Sequence, residues 1–410
     1  MASNRQPLNT TPTVQVGERV RHARLSAGLT QDEVVARLAG AGYDITKAGL
    51  SKYELGKSVP GATFLLKLGQ ALNVPSAYFL REQEVKVAWG GYRKKSTLTQ
   101  LRQDQIRAYA IDMVEAHVWL QTRLQIRTEG ILSERRPGHS LEDAEAAADW
   151  LRKEWELSDL PLESVTQVVE DRGGIVVPVA DGDADFDGLS GWVNGKLPLA
   201  VVNQAVSDDR RRYNLAHELG HLILDCSGLT EREEELRAHR FAAAFIVPAE
   251  AARRELGPRR RHLSMHELAM LKAKYGFSMQ AWMHRACELE IIDGAYYKGL
   301  CVEFSRRRWR KLEPFKYTGN ETPTRLKQLT LRALSEGLIN RDQAERLCPG
   351  CVETSDGMEA KNRMSPRELL KLPYAERARI LALAAADAAE VYAEKPELSD
   401  FEALSEDDFE

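Results

Sequence analysis

The sequence predicts an α+β multidomain protein. It has an all-helical head with a helix-turn-helix pair, a core with a small sheet and an apolar His-Glu-x-x-His helix, and a mostly helical C-terminal part. Three observations predict it. Residues 14–84 break into five helix-length segments separated by Gly, Pro and polar turns. Residues 175–203 hold three short β-branched or apolar runs separated by Gly/Asp turns. The run from Tyr213 to Leu224 is apolar and helix-forming and carries His217, Glu218 and His221.

The head comes first. Val16–Leu25 is a helix that ends before Gly28. Thr30 and Glu33 form the pattern of a capping box, in which each side chain satisfies the other's amide, and open a second helix over Gln31–Leu38. A third runs from Thr46 to Leu55 and stops at Gly56. Phe64–Leu72 and Pro75–Leu80 complete the set. Two short helices with a tight connection and polar residues on the second fit a helix-turn-helix. Residues 1–95 carry 14 Lys/Arg and 7 Asp/Glu, a net +7, although the chain as a whole is at −4. A basic head points to a nucleic-acid contact.

Residues 85–144 read as a linker with a strand at Val85–Ala88 and a long amphipathic helix over Leu98–Arg127. Ala144–Trp155 and Leu162 to Gly173 are further helices. Ile175–Val179, Leu189–Val193 and Leu199–Asn203 are the strands. The spaced aspartates of Asp181–Gly188 lack the glycine and closing glutamate of a calcium loop, so this stretch is read as a turn.

On a helix, residues four apart share a face, so His217 and His221 can aim two imidazoles at one metal ion. Glu218, one position round, is close enough to act as a base. Leu215, Ala216, Leu219, Leu222 and Ile223 bury the helix, and a dry setting strengthens charge effects. Gly220 costs helix propensity and so points to a packing requirement. A third ligand is expected nearby. Glu235 heads an otherwise apolar stripe through Ala238, Phe241 and Phe245, and a carboxylate on such a stripe needs a partner. Asp225 and His239 are the alternatives.

The head is similar to the XRE (lambda-repressor-like) family through Arg24, Gly28-Leu-Thr-Gln31, Glu33, Leu50-Ser-Lys-Tyr53-Glu54, Gly56-Lys57 and Pro60. The resemblance implies that the helix from Thr46 enters the major groove of an operator in double-stranded DNA. Thr46, Lys47, Ser51 and Lys52 would contact bases or phosphates, with Gln31 near the second helix start. The run His-Glu-Leu-Gly-His, followed by Glu235-x-x-Ala238-x-x-Phe241-Ala242 and an apolar stretch ending at Pro248, resembles the ImmA/IrrE-type metallopeptidases. That likeness implies a zincin-like core, one zinc ion per chain on His217, His221 and Glu235, and Glu218 as the catalytic base. It also implies an extended substrate pairing with an edge strand, for which Leu199–Asn203 is the candidate.

The expected domains are 14–84, 85–144, 145–293, an accessory region 294–362, and an acidic helical tail 363–410 with 6 Lys/Arg and 12 Asp/Glu. The tail would hold a helix over Tyr374–Tyr392. The basic run Arg306–Lys311 is read as a solvated strand or loop. Five cysteines at scattered positions exclude a disulfide framework, and Cys348-Pro-Gly-Cys351 alone makes no four-ligand zinc site. No run reaches the ~18 apolar residues of a membrane span, so a cytoplasmic location is expected. Together these features predict a DNA-binding regulator with a zinc endopeptidase domain. By the family likeness its protein substrate would be a repressor or other regulatory protein, and heads of this helix-turn-helix type usually pair as a homodimer on two half-sites. A second reading is a regulator or toxin–antitoxin component whose metal core senses or binds a partner without proteolysis.

Overall fold

Local capping sets several helix starts. Thr30 accepts from the Glu33 amide while Glu33 accepts from the Thr30 amide at 2.7 Å. The structure is a computed structural model and describes residues 12–81, 85–90, 98–126, 135–179, 186–310 and 312–352. The chain divides into two units, Met1–Cys348 and Pro349–Glu410. The acidic tail, with its expected helix over Tyr374–Tyr392, lies outside the described residues, as does most of the 181–188 turn.

The head consists of α1 (Pro12–Ser26), α2 (Gln31–Gly40), α3 (Lys47–Glu54), α4 (Ala62–Leu72) and a 3-10 turn at Ser76–Leu80. They pack around Val20, Val34, Leu38, Leu50, Phe64 and Leu68. Arg24 and Glu54 are buried inside it and meet through two nitrogens at 2.5 and 2.9 Å. Arg24 also donates to the Leu29 carbonyl, and Gln31 donates to Glu54 at 2.8 Å. These contacts tie together Arg24, Gln31 and Glu54, three of the residues that carry the head's sequence pattern.

β1 (Val87–Trp89) and α5 (Gln100–Arg123) follow. The remainder runs β2 (Arg136–Pro137), α6 (Leu141–Glu154), α7 (Val165–Asp171), β3 (Ile175–Val179), β4 (Gly188–Val193), β5 (Leu197–Asn203), α8 (Asp208–Ile223), β6 (Leu224–Asp225), α9 (Glu231–Ile246) and α10 (Ala249–Leu256). It ends with α11 (Met265–Tyr275), α12 (Met279–Glu288), α13 (Gly294–Arg306), α14 (Arg325–Ser335) and α15 (Arg341–Leu347). α6 starts three residues before the expected Ala144, because Ser140 and Asp143 form a capping box there. The basic run at 306–310 is not a strand or loop alone. It begins at the end of α13, where Arg306 and Arg307 both pair with Glu303.

The head is tied to α5 by charge. Arg19 makes a two-pronged contact with Glu115 at 3.0 and 3.1 Å. His22 and the Tyr78 hydroxyl both reach Asp112 at 3.0 Å. The other face of α5 covers the main sheet, whose order is β1-β4-β5-β3. β3 and β5 run parallel; β4 is antiparallel to β5, and β1 to β4. Side chains alternate between the two faces of a strand. Ile175, Val177, Leu199 and Val201 therefore pack with Ile106, Ala110 and Val114 of α5. Val176, Ala200 and Val202 join Leu215, Leu219 and Phe241 on the opposite face.

This order corrects one expectation. Leu199–Asn203 is not an edge strand; β5 is paired on both sides, by β3 and β4. Its nearly unbroken burial is that of a central strand covered on both faces.

The region after α13 returns to the core. Glu321 is fully buried and accepts from the amides of Val165 and Thr166 at the start of α7. It also receives Arg212 Nε of α8 at 2.8 Å, and Arg212 donates to the Tyr275 carbonyl at 2.7 Å. A buried charge is tolerable when paired and hydrogen-bonded in this way.

His117 of α5 is also buried, and burial, helped by the charge of Arg325, lowers its pKa to about 4. The unfolded imidazole titrates near 6.5, so the unfolded state binds more protons between these values and stability falls as pH drops through that window. His117→Leu should remove about 2 kcal/mol of the loss between pH 7 and pH 5. Urea denaturation at the two pH values checks this, and an unchanged pH dependence in the variant contradicts it.

Candidate metal centre and nucleic-acid interface

α8 and α9 carry the centre. Asp208 and Asp209 lie in the first turn of α8, where the helix dipole favours negative charge. Thr230 and Glu233 cap α9 reciprocally. The helices approach closely because Gly220 has no side chain. A Cβ there would lie 3.1 Å from Phe241 Cδ1 and 3.2 Å from Ala238 Cα. This is the packing requirement expected at Gly220.

Three of the expected residues converge. His217 Nε2 and His221 Nε2 are 3.1 Å apart. Glu235 places one oxygen 3.5 Å from His217 Nε2 and the other 3.4 Å from His221 Nε2. Donors at 2.0–2.2 Å around a tetrahedral zinc ion stand about 3.3 Å from one another. The two-imidazole, one-carboxylate donor set also suits zinc, so residues and spacing both fit it. His217 is buried, whereas His221 and Glu235 are partly exposed and form the mouth.

Glu218 is buried beside this group and faces β4. A Cβ on Gly188 would lie 2.7 Å from Glu218 Oε1, so glycine leaves the room the carboxylate occupies. The approach to β4 is pinned to α8. Asn214 donates to the Asp187 carbonyl at 3.2 Å, and Arg210 pairs with Asp187 at 2.6 Å. Asn203 holds the Phe186 carbonyl at 2.8 Å. Sequence reasoning missed Gly188; the signal was an Asp-Gly step immediately before a strand.

The rival ligands separate. Asp225 turns away to Ser227, accepting from its amide and hydroxyl, and these bonds hold its carboxyl below the ordinary range. His239 stays close: donor atoms of His217, Glu235 and His239 lie within 4.8 Å of one another.

In the head, Thr46 caps α3 by accepting from the Gly49 amide at 3.1 Å. Lys52 is exposed and Ser51 partly so. Lys47 is exposed and pairs with Asp32 across the two helices at 2.6 Å. Such a surface pair is worth little and is readily exchanged for a phosphate. Gln31 is turned to Glu54.

Two comparisons agree with this architecture. Residues 20–79 match the family described as helix-turn-helix, and residues 178–286 match the IrrE N-terminal-like domain. The second match runs from the end of β3 to α12 and includes the whole candidate centre. No curated protein matches the chain. The chain is thus a fusion of an XRE-type helix-turn-helix domain with a domain of the ImmA/IrrE metallopeptidase type. Among the described residues, no helix is long and apolar enough to cross a membrane.

Gly220→Val should force α8 and α9 apart. Overpacking of this kind costs about 1–3 kcal/mol, read as a lowered urea midpoint. A midpoint equal to that of the natural chain contradicts the close-packing account.

Proposed function

We propose that the chain is a DNA-binding regulator whose core is a zinc-dependent endopeptidase. Its substrate would be a repressor or another regulatory protein, and cleavage would switch gene expression in a stress response or a mobile element. The observation that carries this reading is the convergence of His217, His221 and Glu235 at 3.1–3.5 Å beside the buried Glu218. One zinc ion, when bound, would polarise the substrate carbonyl and make water acidic enough to be activated near neutral pH.

The chain's own residues do the rest. His217, His221 and Glu235 hold the ion. Glu218 takes the proton of the attacking water and passes it to the leaving amine. Gly188 keeps the space in which that carboxylate works. An extended substrate would lie along Gly188–Leu189 of β4, beyond the β1 pairing at Gly191 and the Gly90 amide bond to Ser190 that end the contacts of this edge among the described residues. Main-chain pairing there gives affinity, and neighbouring pockets give sequence choice. The domain limits proposed on this plan are 14–84 for the head and 145–293 for the peptidase, with 85–144 lending β1 and α5 to the peptidase sheet.

The head would dock α3 in the major groove, with Thr46, Lys47, Ser51 and Lys52 at the DNA and Gln31 held at its edge by Glu54. Pairing as a homodimer on two half-sites fits this class of head.

Elemental analysis tests the centre: about one zinc per chain is expected, lost in His217→Ala and in Glu235→Ala. Glu218→Gln should keep the zinc and lose cleavage of a candidate repressor by about a hundredfold or more. Cleavage that survives Glu218→Gln sinks the peptidase mechanism. For the head, Lys52→Ala should weaken operator binding and reduce the slope of log affinity against log salt by about 1. An unchanged affinity and slope would remove Lys52 from the interface.

A further inference from the structure

Each of the two helices at the centre offers a pair of donors one turn apart. On α8 the pair is His217 and His221. On α9 it is Glu235 and His239, again four residues apart and therefore on one helix face. The mechanism above leaves His239 unused.

His239 is solvent-exposed, yet its ring is held in place. The Tyr213 hydroxyl lies 3.0 Å from its Nδ1. The two rings stack with centroids 5.9 Å apart and an interplanar angle of 18°. The His239 centroid is 4.3 Å from that of His217, and its donor atom is within 4.8 Å of those of His217 and Glu235.

We propose that His239 is a fourth protein donor of this centre, oriented by Tyr213, so that the resting site is closed by two side chains from each helix. This rests on the metal centre proposed above and adds its regulation. Three protein donors leave a position for water or substrate, and four close the site. A ligating histidine is commonly fixed by a hydrogen bond at its other ring nitrogen. With Tyr213 at Nδ1, Nε2 would be the nitrogen offered to the metal, and Nδ1–H would then donate to the tyrosine oxygen. Opening requires the His239 ring to leave Tyr213 and rotate, while His217, His221 and Glu235 stay on their packed helices. Turning His239 aside would leave open the position that water or substrate needs, so this ring would gate the centre.

The test uses the full chain loaded with Co2+ or Zn2+ alone, as the natural sequence, His239→Ala and Tyr213→Phe. Zinc affinity is measured by chelator competition. The visible Co2+ spectrum is recorded with and without acetohydroxamate, a small chelating anion. His239→Ala is expected to bind zinc about tenfold more weakly or worse. Its Co2+ spectrum should differ from that of the natural chain, and it should bind the hydroxamate about tenfold more tightly because a position is already open. Tyr213→Phe should move each readout in the same direction by less. If His239→Ala matches the natural chain in zinc affinity, spectrum and hydroxamate response, His239 lies outside the coordination sphere and the inference is overturned. If none of the three proteins binds either metal, the proposed centre itself fails, and this inference fails with it.

Discussion

The close approach of α8 and α9 is the constraint on which the rest depends. Gly220 lets the backbone of α8 settle against Ala238 and Phe241, with less than a methyl group's clearance. Only at that separation can Nε2 of His217 and His221 and the oxygens of Glu235 come within 3.5 Å of one another. Packed interiors do not deform continuously, so a helix pair either fits this closely or sits a side chain further apart. The donors are thus placed by packing before any ion contributes.

Other contacts hold this helix pair against the remainder of the core. Arg212, one turn before Ala216 on α8, is locked by Glu321 and by the Tyr275 carbonyl. On the α9 side, Arg240 and Arg285 both reach Glu145 of α6, and Arg285 also donates to the Val247 carbonyl. Burial pushes the Glu145 carboxyl up, but the two guanidinium groups outweigh it and hold the carboxyl below its ordinary range. These arginines fix where the helices sit relative to the sheet, while the apolar contacts of Leu215, Leu219 and Phe241 supply the burial. Across the sheet, α5 takes the opposite apolar face and carries the head on its acidic side through Asp112 and Glu115. The helix-turn-helix head and the candidate metal centre are therefore joined through one helix and one sheet.

What was legible in the sequence was what local periodicity encodes. The four-residue spacing of His217 and His221, the capping box at Thr30 and the break at Gly56 depend on neighbours within one turn. Glu235 was singled out because a carboxylate heading an apolar stripe is anomalous within its own helix. What could not be read lies in contacts between distant segments. Gly188 matters only because β4 passes Glu218, and Glu321 only because it meets Arg212 109 positions earlier. Leu199–Asn203 was expected at an edge, yet strand order is a property of the whole sheet, and the strand's two-sided burial is what marks it as central. His239 was noticed as a donor type, but its clamp by Tyr213 comes from the packing of two helices.

On the proposed function, one zinc ion belongs between α8 and α9. Anomalous diffraction at the zinc edge, from crystals of the full chain grown with zinc supplied, tests it most directly. The account predicts a single strong peak about 2.0–2.2 Å from His217 Nε2, His221 Nε2 and a Glu235 oxygen. A peak at the cysteine pair near residue 348, or no peak between the two helices, would contradict it.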